Sequence, residues 1–238
     1  MFKNYVFDLY GTLLDIRTDE NLPELWEKFA QFYKFHGADF TPEELKAAFE
    51  TECKTLSKDS PYKYPEIQLE YVFQNLFKKK GVELSIGECV TAGQFFRILS
   101  TVQYVSLYPG VKDLLCALRK KGKKLYVLSN AQKIFTWNEM VATGIEKSFD
   151  GIIFSSDYGC AKPDPEFYGI LNKKYGLIPE ETIMIGNDPE TDIEGGKRAG
   201  LHTLYIHSNI SPQGKPVPEA DFIIPDGDFT KIKELILK

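Results

Sequence analysis

The chain has 238 residues and a formal net charge of −5, with 43% hydrophobic and 26% charged residues. This balance predicts a protein that folds throughout, with one buried core and a smaller accessory module. The negative charge disfavours nucleic acid and anionic membrane surfaces as partners, and no apolar run approaches the roughly 20 residues of a membrane span.

The cysteines and the N-terminus predict the compartment. Four widely spaced cysteines without a paired arrangement indicate reduced thiols, and the apolar N-terminus lacks a cleavage site. We therefore expect a soluble cytoplasmic protein that acts on a small molecule, as a monomer or a homodimer.

The chain begins with a short apolar and aromatic run, YVFDLYGTLL over residues 5–14. This run meets Asp8 and then a Gly-Thr turn. The pattern predicts a buried central strand that leads into a functional loop.

Helical patterns fill residues 18–104. Apolar residues from Leu22 to Tyr33 recur at helical spacing, which indicates a core stripe. A second helix should begin at Thr41, which can cap it, and a third covers residues 67–77. Ser85 with Glu88 can cap a fourth helix in the same way.

Strand and helix alternate over the rest of the chain. The strand-like runs are LYVLSN, GIIFSS, TIMIGND, HTLYI and DFIIPD. Such alternation predicts an α/β fold, in which a parallel sheet is covered by helices on both faces. We therefore predict a core domain of residues 1–17 and 105–238, with residues 18–104 inserted as an all-helical cap domain.

Polar residues at the strand ends are the candidates for chemistry, because open parallel sheets bind ligands beyond the carboxyl ends of their strands. They are Asp8, Ser129, Asn130, Lys162, Asp188 and Asp192. A carboxylate of this set can attack phosphorus, while the hydroxyl group holds phosphoryl oxygens. The lysine and a divalent cation can neutralise the charge.

Four segments resemble, in order, the motifs of the haloacid dehalogenase-like superfamily: FDLYGTLLD, LSNA, AKPDPEFY and GNDPETDIEGGKRAG. The resemblance covers nearly the whole chain. It implies a doubly wound, Rossmann-like parallel sheet of strand order 3-2-1-4-5, with a helical cap inserted after the first motif.

The resemblance also implies roles for individual residues. Asp8 would be the nucleophile, and Lys162 would order the charges around it. Substrate contacts would come from Thr12, Ser129 and Asn130. Mg²⁺ would be held by Asp8, by the main-chain carbonyl of Tyr10 and by Asp188, with Asp192 in support. The fourth motif leaves open whether Asn187 or Asp188 faces the metal.

Tyr10 departs from the family's phosphatases, most of which carry a catalytic aspartate at this position. A phenol with a pKa near roughly 10 can donate a proton but is a poor base at neutral pH. Tyrosine here resembles the 2-haloacid dehalogenases, in which halide leaves without a proton. Those enzymes need no metal, however, and use a cap arginine, for which Arg17 or Arg97 would have to substitute.

Three hypotheses follow from the sequence. The leading one is Mg²⁺-dependent hydrolysis of a small phosphorylated metabolite through a covalent intermediate on Asp8. The second is metal-independent dehalogenation of a 2-haloacid, which Tyr10 suggests. In either enzyme we expect the catalytic residues to be Asp8, Tyr10 and Lys162. The third is a phosphate-binding protein whose catalysis is impaired by Tyr10.

Overall fold

The computed structural model describes residues 2–236. Four helices follow one another in the first half of this range, and helices and strands alternate in most of the second half. In chain order they are β1 (Asn4–Phe7), β2 (Leu14–Thr18), α1 (Pro23–Phe35), α2 (Pro42–Lys58), α3 (Leu69–Lys79), α4 (Ile86–Ser100), β3 (Thr101–Leu107), α5 (Val111–Lys120), β4 (Lys124–Ser129), α6 (Lys133–Thr143), β5 (Gly151–Phe154), α7 (Pro165–Tyr175), β6 (Thr182–Gly186), α8 (Gly195–Arg198), β7 (His202–Ile206), β8 (Phe222–Ile224) and α9 (Lys231–Ile236).

Within the described residues, six strands form one sheet in the order β5-β4-β1-β6-β7-β8, and every neighbouring pair is parallel. Numbered along the chain, this order is 3-2-1-4-5-6, so the expected 3-2-1-4-5 order is present with one further strand. The strand order reverses at β1. The carboxyl end of β1 therefore lies at the crevice where ligands bind in such sheets.

Helices cover both faces of the sheet, which confirms the predicted doubly wound α/β fold. The side chains of β1 alternate between two hydrophobic cores, as the period of two in a strand requires. Tyr5 and Phe7 belong to the core that includes residues of α5 and α9. Val6 points the opposite way, into the core shared with α7.

The inserted helices α1 to α4 have a core of their own, built largely from aromatic rings. Phe96 stacks on Phe49 with ring centroids 5.2 Å apart, and Phe73 lies 5.7 Å from Phe96. The predicted capping boxes are present at the starts of α2 and α4. None of the helices within residues 2–236 is both long and apolar enough to cross a membrane.

An antiparallel ribbon of β2 and β3 connects the sheet to the inserted helices. The sequence did not predict it, and residues 101–104, which we expected in the helical insertion, are strand. Most residues of β3 are exposed to solvent. Its partner lies more than eighty residues earlier in the chain, so no local pattern reveals the pairing.

Candidate active site

Asp8 lies directly after β1, at the carboxyl end of the central strand. Its main-chain N–H donates to the carbonyl of Ile185 in β6 at 2.9 Å, which fixes the backbone. A tight turn follows, in which Gly11 adopts a φ of +82° that favours glycine. The turn brings the hydroxyl of Thr12 within 3.4 Å of Asp8 Oδ2. The side chain of Thr12 is fully buried behind the carboxylate.

Lys162 joins two carboxylates. Its Nζ lies 2.6 Å from Oδ1 of Asp8 and 2.6 Å from Oδ1 of Asp192. Burial alone would lower the pKa of Lys162, but the two carboxylates outweigh burial and hold the pKa above its usual value. Burial raises the pKa of Asp192, and the nearby lysine opposes that change. Lys162 is therefore a fixed positive charge beside Asp8.

Asn130 holds the main chain of Lys162. Its Oδ1 accepts from the Lys162 N–H at 2.7 Å, and its Nδ2 donates to the Lys162 carbonyl at 2.9 Å. Ser129 precedes it at the end of β4 and, unlike the exposed Asn130, is buried. Both residues line the pocket next to Asp8. The double hydrogen bond gives the Asn130 amide a positioning role toward the lysine.

Asn187 and Asp188 follow β6 and point in different directions. Asn187 is 3.3 Å from the hydroxyl of Thr12, and its Nδ2 donates to Ser211 at 3.4 Å. Oδ1 of Asp188 accepts from the main-chain N–H groups of Glu190 and Thr191, at 2.8 and 2.9 Å. Asp188 therefore caps the helical segment that follows, and it lines the pocket as well.

Tyr10 lines the pocket, but its hydroxyl is turned toward α6. The hydroxyl donates to Glu139 and is hydrogen-bonded to Thr136 at 2.9 Å. The guanidinium of Arg97, from α4, lies 5.3 Å from the centre of the Tyr10 ring and 2.6 Å from Glu139. Burial, and then the charge of Glu139, raise the pKa of Tyr10. The phenol therefore keeps its proton and directs it to Glu139.

The pocket around Asp8 has a volume of about 250 Å³. Among the described residues its lining comes from outside the helical insertion: Asp8, Tyr10, Ser129, Asn130, Lys162, Asn187, Asp188, Thr191, Asp192, Ile210 and Pro212. The sequence-predicted residues thus converge on one pocket, with Thr12 directly behind it. Sequence reasoning missed three lining residues. Thr191 lies next to Asp192, and Ile210 and Pro212 belong to an irregular loop after β7.

The comparison with known families decides the identity. A family model described as haloacid dehalogenase-like hydrolase matches residues 2–200. The chain belongs to this family. The resemblance of its four motifs to this family is therefore confirmed.

Relatives of this haloacid dehalogenase-like hydrolase include phosphatases. The phosphoserine phosphatase of Thermus thermophilus is 28% identical over 126 residues, which cover 53% of this chain and 49% of that protein. The chain spans about half the length of that enzyme and of several glyceraldehyde 3-phosphate phosphatases that it matches. The pyrimidine 5′-nucleotidase of Streptococcus pneumoniae is 28% identical over 225 residues, 92% of this chain and 90% of that protein.

A solved dehalogenase shares the fold of this haloacid dehalogenase-like hydrolase. The 2-haloacid dehalogenase from Pseudomonas syringae pv. Tomato DC3000 matches with a TM-score of 0.65 and 20% identity. The match covers 100% of this chain and 99% of that chain. At this identity the likeness shows the fold alone.

The residues fit a sparse magnesium site. No group of three or more His, Cys, Asp or Glu side chains within residues 2–236 is arranged to hold a metal. Mg²⁺ needs fewer, because it binds through one or two carboxylates and completes its shell with water and substrate oxygens. Asp8 and Asp188 line the same pocket as Tyr10, whose main-chain carbonyl would supply a further oxygen. The donor set is therefore suited to Mg²⁺.

Proposed function

We propose that this hydrolase is a Mg²⁺-dependent phosphatase that acts on a small phosphorylated molecule through a covalent intermediate on Asp8. The observation that carries the proposal is the position of Asp8, which lies in a polar pocket with the Lys162 ammonium 2.6 Å away. A phosphoryl group brings negative charge to an anionic nucleophile, so a fixed cation at this place lowers the repulsion between them.

Each residue of the site has a separate role in the proposed reaction. A carboxylate oxygen of Asp8 attacks phosphorus, and the leaving group departs on the opposite side. Lys162 and the hydroxyl of Ser129 stabilise the phosphoryl oxygens, and Thr12 orients the carboxylate from behind. Mg²⁺, held by Asp8, Asp188 and the Tyr10 carbonyl, would neutralise phosphoryl charge.

The relatives support phosphate chemistry. The phosphoserine phosphatase and the pyrimidine 5′-nucleotidase are both named for the removal of phosphate from a small molecule. The negative charge and the free cysteines of this chain also fit a small-molecule enzyme of the cytoplasm.

A second candidate, 2-haloacid dehalogenation, is favoured by Tyr10 itself, because halide needs no proton to leave. Two observations weigh against it. Arg97 is paired with Glu139, and Arg17 is exposed on the ribbon, so neither arginine lines the Asp8 pocket. Asp188 does line the Asp8 pocket, where it can serve as a metal ligand, and dehalogenation requires no metal.

Parallel assays test the proposal. We expect phosphate release from p-nitrophenyl phosphate that requires Mg²⁺ and stops with EDTA, and no chloride release from 2-chloropropionate. Asp8→Asn should lower the rate of phosphate release by at least about 10³-fold, whereas the exposed Asp113→Asn should not change it. Metal-independent chloride release would replace this proposal with dehalogenation, and phosphate binding without any turnover would indicate an impaired enzyme.

A further inference from the structure

The titratable side chains that line the Asp8 pocket are engaged in other interactions. Besides Tyr10 they are Asp8, Lys162, Asp188 and Asp192. Lys162 donates to two carboxylates. Both oxygens of Asp192 accept hydrogen bonds, one from Lys162 and one from the Asp188 N–H at 3.0 Å. Asp188 accepts two main-chain N–H groups. Among these, Tyr10 remains as the side chain that could protonate a departing group.

The proton of Tyr10 is held elsewhere. A phenol has one O–H, and Oε2 of Glu139 accepts it. Glu139 is kept in place by Arg97, whose Nε and Nη2 lie 2.6 and 3.3 Å from its two oxygens. Glu139 is only 9% exposed, so water competes poorly for this hydrogen bond. The Tyr10 hydroxyl is therefore directed into α6 and away from a leaving group at Asp8.

We propose that the substrates are acyl phosphates, whose leaving group departs as a stable carboxylate anion without receiving a proton. This inference rests on the phosphatase function proposed above. A carboxylate oxygen of Asp8 forms a bond to phosphorus, the bond from phosphorus to the acyl oxygen breaks, and its electron pair leaves with the carboxylate. Water then attacks phosphorus and the bond to Asp8 breaks. Both protons of the water leave on the phosphate as H₂PO₄⁻, and the carboxylate of Asp8 is restored.

Alkyl phosphate esters make the opposite demand. Their leaving alkoxide is a strong base that must be protonated as it departs, and a positioned acid contributes typically about 10² to 10⁴ in rate. Because the Tyr10 proton is donated to Glu139, the enzyme lacks this rate contribution for esters. The departure of an acyl leaving group needs no such acid, and the attack of water on phosphorus is the same step for both substrate classes. The geometry therefore selects substrates in the first step, by the basicity of the leaving group.

Two variants at position 10 test whether a proton donor at this place changes the substrate preference. Tyr10→Asp and Tyr10→Asn both remove the hydrogen bond to Glu139 and have nearly the same shape, but only the aspartate can act as an acid. The measurement is kcat/KM for acetyl phosphate and for glycerol 2-phosphate, with Mg²⁺, in the wild type and both variants. Circular dichroism and thermal unfolding establish that each variant is folded.

We expect the wild type to favour acetyl phosphate over glycerol 2-phosphate by at least about 10²-fold. Tyr10→Asp should narrow this ratio by about tenfold or more relative to Tyr10→Asn. Equal efficiency on both substrates in the wild type would overturn the inference even if neither variant folds, as would equal narrowing by both variants. Absence of phosphate release from acetyl phosphate as well would instead remove the proposed phosphatase function, because that substrate needs no acid.

Discussion

The carboxylate of Glu66 accepts a hydrogen bond from the hydroxyl of Ser155 at 2.7 Å, which attaches the helical insertion to the end of β5. Ser155 in turn accepts from the N–H of Ala131 at 2.9 Å, next to Asn130. Main-chain hydrogen bonds join the same segment of the insertion to residues 159–161, directly before Lys162. The insertion therefore contacts both loops that place the lysine beside Asp8.

Glu66→Gln tests this attachment. A hydrogen bond to a charged group contributes about 1.5 to 3 kcal/mol and a neutral one about 0.5 to 1.5 kcal/mol. The amide oxygen of glutamine can still accept from Ser155, so the free energy of unfolding should fall by the difference, about 1 kcal/mol. We also expect kcat to fall more than KM rises, since the loops that position Lys162 lose a support. Urea unfolding and steady-state kinetics measure the two effects. Glu83→Gln, an exposed change in the same insertion, is the control, and equal behaviour of the two variants would contradict the prediction.

Lys162→Met should destabilise the protein strongly. The change leaves the carboxylates of Asp8 and Asp192 facing each other without a cation, and breaking a buried ion pair in this way costs about 3 to 5 kcal/mol. Lys133→Met removes a surface ion pair with Asp157 and should cost less than about 1 kcal/mol. Urea unfolding of both variants gives the comparison. Similar losses in the two would mean that the buried pair contributes no more than a surface one.

Much of the fold follows from local patterns. Thr41 with Glu44 and Ser85 with Glu88 form the capping boxes that the sequence predicts, because each box depends on residues only three positions apart. The ribbon of β2 and β3 was missed for the opposite reason. It depends on pairing between distant segments, and the apolar alternation of β2 is limited to Leu14 and Ile16, which is too short a run to identify a strand.

The candidate site also contains residues that the sequence predicts and residues that it does not. Asp8, Lys162 and Asp188 could be placed together, because parallel strands end at one edge of a sheet. The partners Glu139 and Arg97 could not, since each lies within a helix whose side-chain directions depend on tertiary packing. Glu139 in α6 stands out as a candidate site residue only once the structure shows that it is buried. The direction of the Tyr10 hydroxyl was therefore hidden from the sequence.

Gly186→Ala should disturb the site through Asp192. A Cβ at position 186 would overlap the Asp192 carboxylate, which cannot move freely because Lys162 and the Asp188 N–H hold it. We expect loss of activity with p-nitrophenyl phosphate of about tenfold or more, since a misplaced cation weakens electrostatic stabilisation. Gly169→Ala is the control, because a Cβ there meets only ordinary contacts. Full activity in Gly186→Ala would show that the placement of Asp192 is not needed.

Asp150 should make stability depend on acid pH. Burial alone would raise the pKa of Asp150, but Lys124 and the N–H of Leu125 outweigh burial and hold the pKa below its usual value. Because the folded pKa is the lower one, this contribution is present above the unfolded carboxyl pKa of about 3.9 and is lost as the pH falls through the folded value.

Asp150→Asn tests the direction of this pH dependence of stability. The variant should be less stable than the wild type at pH 7, and the difference should shrink as the pH falls from about 5 to 3. Urea unfolding at several pH values measures it. Asp39→Asn, which removes a carboxylate from a well-exposed pair with Lys34, serves as the control. A difference for Asp150→Asn that does not change with pH would contradict the prediction.

The covalent role of Asp8 is tested most directly by acid-quenching the enzyme during turnover of ³²P-labelled acetyl phosphate with Mg²⁺ and locating the protein-bound label. We predict label on the peptide that contains Asp8, released by hydroxylamine as an acyl phosphate requires, and none in Asp8→Asn. Continued turnover by Asp8→Asn, or label on a different peptide, would contradict the account.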